Sequence, residues 1–225
     1  MKTICIIIAL IFPVLLFSQE VFEKTFDLSG NKKVDLNLKF ADNIIITKST
    51  DNKMYFKSTV LINDGELNHA HKTKIDEDEF EIEIETSLDE KILKNVKTEK
   101  KDDDCDSYFS SDCYRICADI KFEIQIPANT SLTLETISGN IELRGIQGAV
   151  NIKSISGFVD ISWGNVGADL KLKTITGEIY SNLELNNMAN KEQSFIGSNI
   201  TAEYNGGGVP VKIETISSDI FVRKE

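Results

Sequence analysis

The sequence Leu132-Thr133-Leu134-Glu135-Thr136-Ile137-Ser138-Gly139-Asn140-Ile141 contains a six-residue unit, beginning at Thr136, that recurs along the second half of the chain. Further copies begin at Ser154, Thr174 and Thr215, and a degenerate copy begins at Phe195. The anchoring isoleucines are residues 137, 155, 175, 196 and 216, so the spacings are 18, 20, 21 and 20 residues. Self-similarity at one such period indicates a repeat architecture.

Alternating apolar residues flank each copy of the unit. Leu132 and Leu134 precede the first copy, and Ile141 and Leu143 follow it. Because side chains of a strand alternate between its two faces, this pattern predicts two short strands per repeat, each with one apolar face. Glycine adopts backbone angles that other residues avoid, so we expect corners between the strands at Gly139, Gly157 and Gly177.

A unit of this size cannot bury an apolar face alone, but it can do so when stacked on similar neighbours. We therefore predict an all-β protein: a single-stranded β-solenoid, β-helix-like, with rungs of about 20 residues and strands about 4.8 Å apart. Stacking predicts that the five isoleucines form an inward ladder. The alternative is a β-sandwich with similar hairpins, but its strands have no reason to keep one phase.

The first half is predicted as a β-rich N-terminal portion with a fainter repeat. The spacing from Phe40 to Ile44 matches that from Ile137 to Ile141, which suggests an earlier rung. Ser87 and Glu90 have capping-box spacing, which predicts a short helix. The predicted organisation is a signal peptide at 1–18, the N-terminal β portion at 19–86, a short helix and Cys-bearing acidic insertion at 87–119, and the repeat solenoid at 120–225.

The first residues are typical of a secretory signal peptide. Lys2 is followed by an apolar run from Ile4 to Phe17 and then by Ser18. The run has 14 residues, fewer than the roughly 20 that span a bilayer, so we expect cleavage rather than anchoring. The chain is therefore predicted to be exported to the periplasm or the cell surface, with no membrane-spanning segment after cleavage.

Three cysteines, Cys105, Cys113 and Cys117, would remain after cleavage. In an exported protein a local disulfide is expected, and all three pairings are open. A zinc site is the alternative, but no histidine is nearby. The carboxylates at 102, 104 and 106 are similar to the start of a calcium loop, although the loop's glycine and twelfth-position glutamate are missing, so a solvated acidic loop is expected.

Composition argues against several classes of function. The chain has 25 Lys plus Arg and 36 Asp plus Glu, a net charge of −11, whereas a nucleic-acid-binding protein needs cationic side chains for phosphate. The two histidines, His69 and His71, lie in a polar stretch and are expected at the surface. Neither a serine-nucleophile motif nor a phosphate-binding loop is present. We therefore expect no enzyme activity and no cofactor.

A carbohydrate-active enzyme on the same scaffold is the alternative function. Outward carboxylates on stacked strands could act as acid and base; the candidates are Glu135, Glu142, Asp160, Glu178 and Asp219. A solvated strand face is the favoured explanation of these residues. Trp163 is a candidate sugar-stacking platform or, alternatively, a core aromatic.

The chain resembles the toast-rack putative-adhesin family of bacterial envelope domains. The resemblance is carried by Phe40–Ile46, by Ile124–Pro127 leading into Leu132–Ile141, and by the later Ser-Gly and Thr-Gly repeats, and it covers most of residues 23–225. It implies an envelope-associated, non-enzymatic β-solenoid, and it offers no functional residues to carry over. The Cys-bearing insertion departs from the family pattern.

The sequence therefore predicts an exported, non-enzymatic adhesin-like or scaffolding module of the bacterial cell envelope. Its partner would be an unknown envelope protein or a glycan, bound through a face or an edge of the solenoid. Unpaired strands at the ends of the stack also allow edge-to-edge self-association.

Overall fold

The computed structural model describes residues 19–94, 108–111, 114–189 and 197–225. The proposed signal peptide, the acidic loop, Cys105, Cys113 and Ile196 lie outside these residues. The signal peptide, the calcium alternative and the cysteine pairing therefore stay predictions.

The described residues form strands with little helix. The strands are β1 (Glu20–Asp27), β2 (Lys33–Leu38), β3 (Phe40–Lys48), β4 (Lys53–Ile62), β5 (His71–Glu77), β6 (Glu81–Leu88), β7 (Tyr108–Ser111), β8 (Tyr114–Ile126), β9 (Leu132–Thr136), β10 (Ser138–Arg144), β11 (Val150–Ser156), β12 (Val159–Trp163), β13 (Ala168–Thr174), β14 (Ile179–Ser181), β15 (Leu185–Ala189), β16 (Ser198–Tyr204), β17 (Val209–Ser217) and β18 (Ile220–Lys224). Two 3-10 turns, Asn63–Gly65 and Asn68–Ala70, join β4 to β5, and helix α1 spans Glu90–Lys94. The backbone N–H of Lys91 donates to the Asp89 carboxylate at 3.0 Å, so Asp89 caps α1, whereas Ser87 belongs to β6.

Two mixed sheets, each with nine strands in the described part of the chain, form the fold. The first sheet has the order β1-β4-β8-β3-β10-β12-β18-β14, with β7 beside β8, and the second has the order β15-β16-β13-β17-β11-β9-β2-β6-β5. Neighbours from β8 to β14 and from β13 to β6 pair in parallel. Antiparallel strands β4, β5 and β16 flank these parallel blocks. The all-β prediction is therefore confirmed.

Four of the repeats contribute one strand to each sheet, and we call this strand-corner-strand unit a rung. The rungs of the second half are β9/β10, β11/β12, β13/β14 and β17/β18. The β2/β3 unit has the same form, and its Ile44 lies beside Ile141. Buried side chains from both halves, such as Leu36, Phe56 and Ile152, belong to one apolar core between the sheets.

The spatial order of the rungs differs from their order in the chain. The β17/β18 rung lies between β11/β12 and β13/β14. A coil wound in chain order, which the solenoid prediction requires, would place it last. The reason lies in β16, which pairs antiparallel with one edge of β13 and leaves the opposite edge for β17. The prediction that residues 195–200 form a rung is also wrong, since Ser198–Ile200 lie in antiparallel β16.

Candidate functional site

The four repeat isoleucines that the structure describes face outward, so the predicted inward ladder is wrong. Ile137, Ile155, Ile216 and Ile175 are 38%, 44%, 43% and 36% exposed. The alternation that buries Leu132 and Leu134 continues through Thr136, and the next residue, Ile137, therefore falls on the outer face. We call these four isoleucines, in this spatial order, the isoleucine column.

The column follows the strand register of the second sheet. Ser154 lies beside Thr136 and Thr215, and Thr215 lies beside Thr174, so the isoleucines that follow them occupy adjacent positions. Neighbouring strands are about 4.8 Å apart, so the column is about 14 Å long between its first and last members. This regular spacing gives a continuous apolar stripe.

Hydrogen bonds between corners fix the backbone of the column. Ser156 donates to the Ile137 carbonyl from both its backbone N–H and its hydroxyl, each at 3.1 Å. Thr176 donates in the same way to the Ile216 carbonyl, at 2.9 Å from the N–H and 3.1 Å from the hydroxyl. Because adjacent corners are bonded to each other, the side chains above them keep a fixed spacing.

Buried hydroxyls lie directly before the isoleucines. Thr136, Ser154, Thr174 and Thr215 are all buried. The Thr136 hydroxyl donates to the Ser138 carbonyl at 2.7 Å, and the Thr174 hydroxyl donates to the Ser218 carbonyl at 2.9 Å. Each of these hydroxyls satisfies a corner carbonyl, which lets a polar residue point inward while the isoleucine points outward.

The corner glycines allow close stacking of the rungs. Gly139 and Gly157 have φ values of +128° and +101°, which favour glycine. A Cβ on Gly157 would lie 2.2 Å from the Gly139 carbonyl oxygen. At Gly177, φ is not in this region, but a Cβ would lie 2.0 Å from the Ser218 carbonyl oxygen. Side chains at these corners would therefore push neighbouring rungs apart.

The isoleucine column lines an open groove of about 470 Å³. An outward row of alternating charge runs beside it, and we call this the charged row; its members, in spatial order, are Glu135, Lys153, Glu214 and Lys173. Lys153 pairs with Glu135, and this hydrogen bond raises the pKa of Lys153. Lys212 pairs with Glu214 at 2.8 Å, and this hydrogen bond lowers the pKa of the Glu214 carboxyl. Lys153 and Glu214 are therefore both charged at neutral pH.

The carboxylates considered for catalysis lie on the two outer faces and are engaged by other groups. Glu135 pairs with Lys153, Glu142 pairs with Arg144, and Asp160 pairs with Arg223. Glu178 accepts the Tyr180 hydroxyl, and Asp219 accepts the backbone N–H of Glu178 at 2.8 Å. Among the residues that the structure describes, no three His, Cys, Asp or Glu side chains are grouped to hold a metal ion.

Two ring side chains considered above contact the interior. Trp163 is fully buried, and its indole N–H donates to the Val166 carbonyl at 2.9 Å, so it is a core residue and not a sugar platform. The Nε2 atom of His71 is buried, and its ring centroid lies 6.2 Å from that of Phe122. Burial lowers the pKa of His71 to about 4. The surface prediction is therefore wrong for the His71 ring, whereas His69 is exposed.

Comparison with solved structures supports the fold. A "putative cell adhesion protein" from Clostridium sporogenes has a TM-score of 0.53 and 15% identity, covering 92% of this chain and 100% of that chain. A "putative adhesin" from Bacteroides fragilis has a TM-score of 0.27, 10% identity and coverage of 92% and 98%. A "putative lipid binding protein" from Parabacteroides distasonis has a TM-score of 0.26, 13% identity and coverage of 92% and 97%. The last two TM-scores are too low to show a shared fold.

The first likeness shows a shared fold. No family model matches the chain, so its membership of the toast-rack family is not established. No curated protein matches it either. Within the described residues, no helix has the length and apolar character needed to cross a membrane.

Proposed function

We propose that the protein is a non-enzymatic, adhesin-like binding module, exported to the bacterial cell envelope, that binds its partner through the isoleucine column. The observation that carries this proposal is the exposure of all four column residues, at 36–44%, in one unbroken row. Isoleucine is among the residues most often buried in proteins, and contiguous exposed apolar patches mark interaction sites.

The chemistry of the column favours a protein partner over a glycan. Isoleucine side chains offer no hydrogen-bonding group to sugar hydroxyls, and Trp163, the candidate sugar platform, is buried. The partner of the column is therefore an apolar protein surface, and the charged row at its border provides specificity.

A binding role also agrees with the rest of the described surface. The carboxylates that could serve as acid and base are held by cations, a hydroxyl or a backbone N–H. The Clostridium sporogenes protein of the same fold is named for cell adhesion. The apolar run from Ile4 to Phe17 supports export. In this proposal the parallel blocks are a β-solenoid of the toast-rack type in which the last repeat has changed place with its neighbour.

Replacement of column residues tests the proposed function. The double variant Ile155→Thr/Ile216→Thr keeps β-branched side chains but removes apolar area from the centre of the column. Binding of the mature protein to envelope fractions of the producing organism, measured by biolayer interferometry, should weaken about tenfold or more, because a few buried apolar anchors carry most of the energy of an interface. Fluorescence of anilinonaphthalene sulfonate, an apolar probe, should fall in parallel.

Ile45→Thr is the matched control. Ile45 is 36% exposed on the outer face of the first sheet, away from the column. This variant should bind as the wild type does. The proposed role of the column would be contradicted if the double variant bound as strongly as the wild type. It would also be contradicted if the double variant and Ile45→Thr lost the same amount of binding.

A further inference from the structure

The charges of the charged row are complementary to those of the same row taken in the opposite direction. Glu135, Lys153, Glu214 and Lys173 follow one another across adjacent strands, so their charges alternate as negative, positive, negative, positive. In the opposite direction, the row is positive, negative, positive, negative. Every position of the row therefore meets an opposite charge when two copies face each other with their rows reversed.

A two-fold axis between β11 and β17, lying in the plane of contact and perpendicular to the column, produces this reversal. It places Glu135 opposite Lys173 of the second copy, and Lys153 opposite Glu214 of the second copy. Asn37 lies beside Glu135, and Asn199 lies beside Lys173, so these two amides also face each other. Two-fold contacts of this kind use the same patch on both subunits.

The isoleucine column matches itself under the same axis. Ile155 faces Ile216 of the second copy, and Ile137 faces Ile175 of the second copy. Lys39 lies beside Ile137 at one end of the column, with its carbonyl accepting the Ile137 N–H at 3.0 Å. Gly197, which has no side chain, lies against Ile175 at the other end. The lysine of one copy therefore faces a glycine, which carries no charge that would repel it.

The next outward row introduces no repulsion. Asn151 lies between Thr133 and Lys212 in this row, and Lys171 follows Lys212. Under the two-fold axis, Lys212 faces Asn151 of the second copy, and Lys171 faces Thr133 of the second copy. The contact thus combines an apolar centre with a polar border free of like-charge pairs in these rows, as specific interfaces do.

We propose that the partner of the isoleucine column is a second copy of this chain, and that the protein forms a two-fold symmetric dimer with antiparallel columns. The proposal of a dimer rests on the proposed function, because it uses the same site. It adds the identity of the molecule that binds there. The dimer differs from edge-to-edge association, because the contact uses outward side chains and not unpaired backbone groups.

Charge reversal tests the dimer without altering the isoleucines. The variant Glu135→Lys/Glu214→Lys makes the charged row wholly positive, and Lys153→Glu/Lys173→Glu makes it wholly negative. Each variant alone should dimerise about a hundredfold more weakly or worse, because all contacts in the row become repulsive. An equimolar mixture should recover a dimer, since a positive row then meets a negative one. Analytical ultracentrifugation across protein concentrations up to the millimolar range measures each association constant.

Glu123→Lys/Glu142→Lys is the matched control. It also reverses two carboxylates that are held by cations, but these lie in the first sheet, on β8 and β10. It should dimerise as the wild type does, and circular dichroism checks that every variant is folded. A wild type that stays monomeric at millimolar concentration, a wholly positive variant that dimerises normally, or a mixture that stays monomeric would each overturn the dimer. If envelope binding still depended on Ile155 and Ile216 in that case, the proposed function would stand and only its occupant would be refuted.

Discussion

Alanine substitution at Gly157 combines two separable effects on stability. The φ of +101° at this position is unfavourable for a residue with a Cβ, and the new Cβ would lie 2.2 Å from the Gly139 carbonyl oxygen. Backbone strain of this kind costs about 1–2 kcal/mol. Overpacking against a neighbour that cannot move freely costs about 1–3 kcal/mol. We therefore expect Gly157→Ala to lower the free energy of unfolding by about 2–5 kcal/mol.

Alanine substitutions at two other glycines measure the backbone strain and the overpacking separately. Gly206 has a φ of +83°, and beyond its chain neighbours no atom lies within 4 Å of the position that a Cβ would take. Gly206→Ala should therefore cost only the strain, about 1–2 kcal/mol. Gly177 lacks the positive φ, but a Cβ there would lie 2.0 Å from the Ser218 carbonyl oxygen. Gly177→Ala should therefore cost only the overpacking, about 1–3 kcal/mol.

Urea unfolding followed by circular dichroism gives the three differences directly. For a chain of this size, each kcal/mol also lowers the melting temperature by about 2–4 °C, so thermal scans provide an independent check. The expected order of destabilisation places Gly157→Ala first, near the sum of the other two. If Gly157→Ala is no more destabilising than Gly206→Ala, and Gly177→Ala has no effect, then close stacking of the corners does not contribute to stability and this reasoning is wrong.

The remaining predictions concern buried polar groups. Burial holds the pKa of His71 at about 4, below its ordinary 6.5, so its contribution to stability is complete above pH 6.5 and is lost as the pH falls toward 4. The wild type should lose about 2 kcal/mol more than His71→Leu between about pH 7 and pH 5 in urea unfolding, and equal losses would contradict the burial of this ring. The Ser218 hydroxyl is buried without a hydrogen-bond partner in the described residues, so Ser218→Ala should leave stability unchanged or raise it by up to about 1 kcal/mol. Thr215→Val removes a hydroxyl that donates to the Ser218 carbonyl at 3.1 Å, so it should lower the free energy of unfolding by about 1 kcal/mol. If Ser218→Ala lowered the free energy of unfolding by the same amount, the distinction between a bonded and an unbonded buried hydroxyl would be refuted.

The strands of the repeat are predictable because their alternation is a local property. The runs around Leu132, Val150 and Val211 each form a strand, and their parallel stacking follows from their equal form. The prediction for Ile137 fails because it gives more weight to apolar character than to the phase of the neighbouring residues. Thr136 resembles an exposed polar residue in sequence, but its hydroxyl bonds a corner carbonyl and can be buried.

The spatial order of the rungs cannot be predicted from the repeat. Equivalent rungs have equivalent edges, so the period does not determine which edge accepts β17. That choice depends on β16, whose antiparallel pairing with β13 has no counterpart in the repeat pattern. The charged row depends on the same choice, since its alternation of sign appears only when Glu214 lies between Lys153 and Lys173. The charged row of the candidate site therefore could not be predicted from the sequence alone.

The position of β17/β18 between β11/β12 and β13/β14 also restricts the order in which the strands can pair as the chain folds. Residues 209–224 are made after residues 168–181 but must lie between them and residues 150–163. The second sheet cannot close in chain order, because an earlier docking of β13 on β11 would occupy the place of β17. Non-local pairing of this kind slows folding. The chain must therefore keep a gap open, or reopen one, until its later strands have emerged.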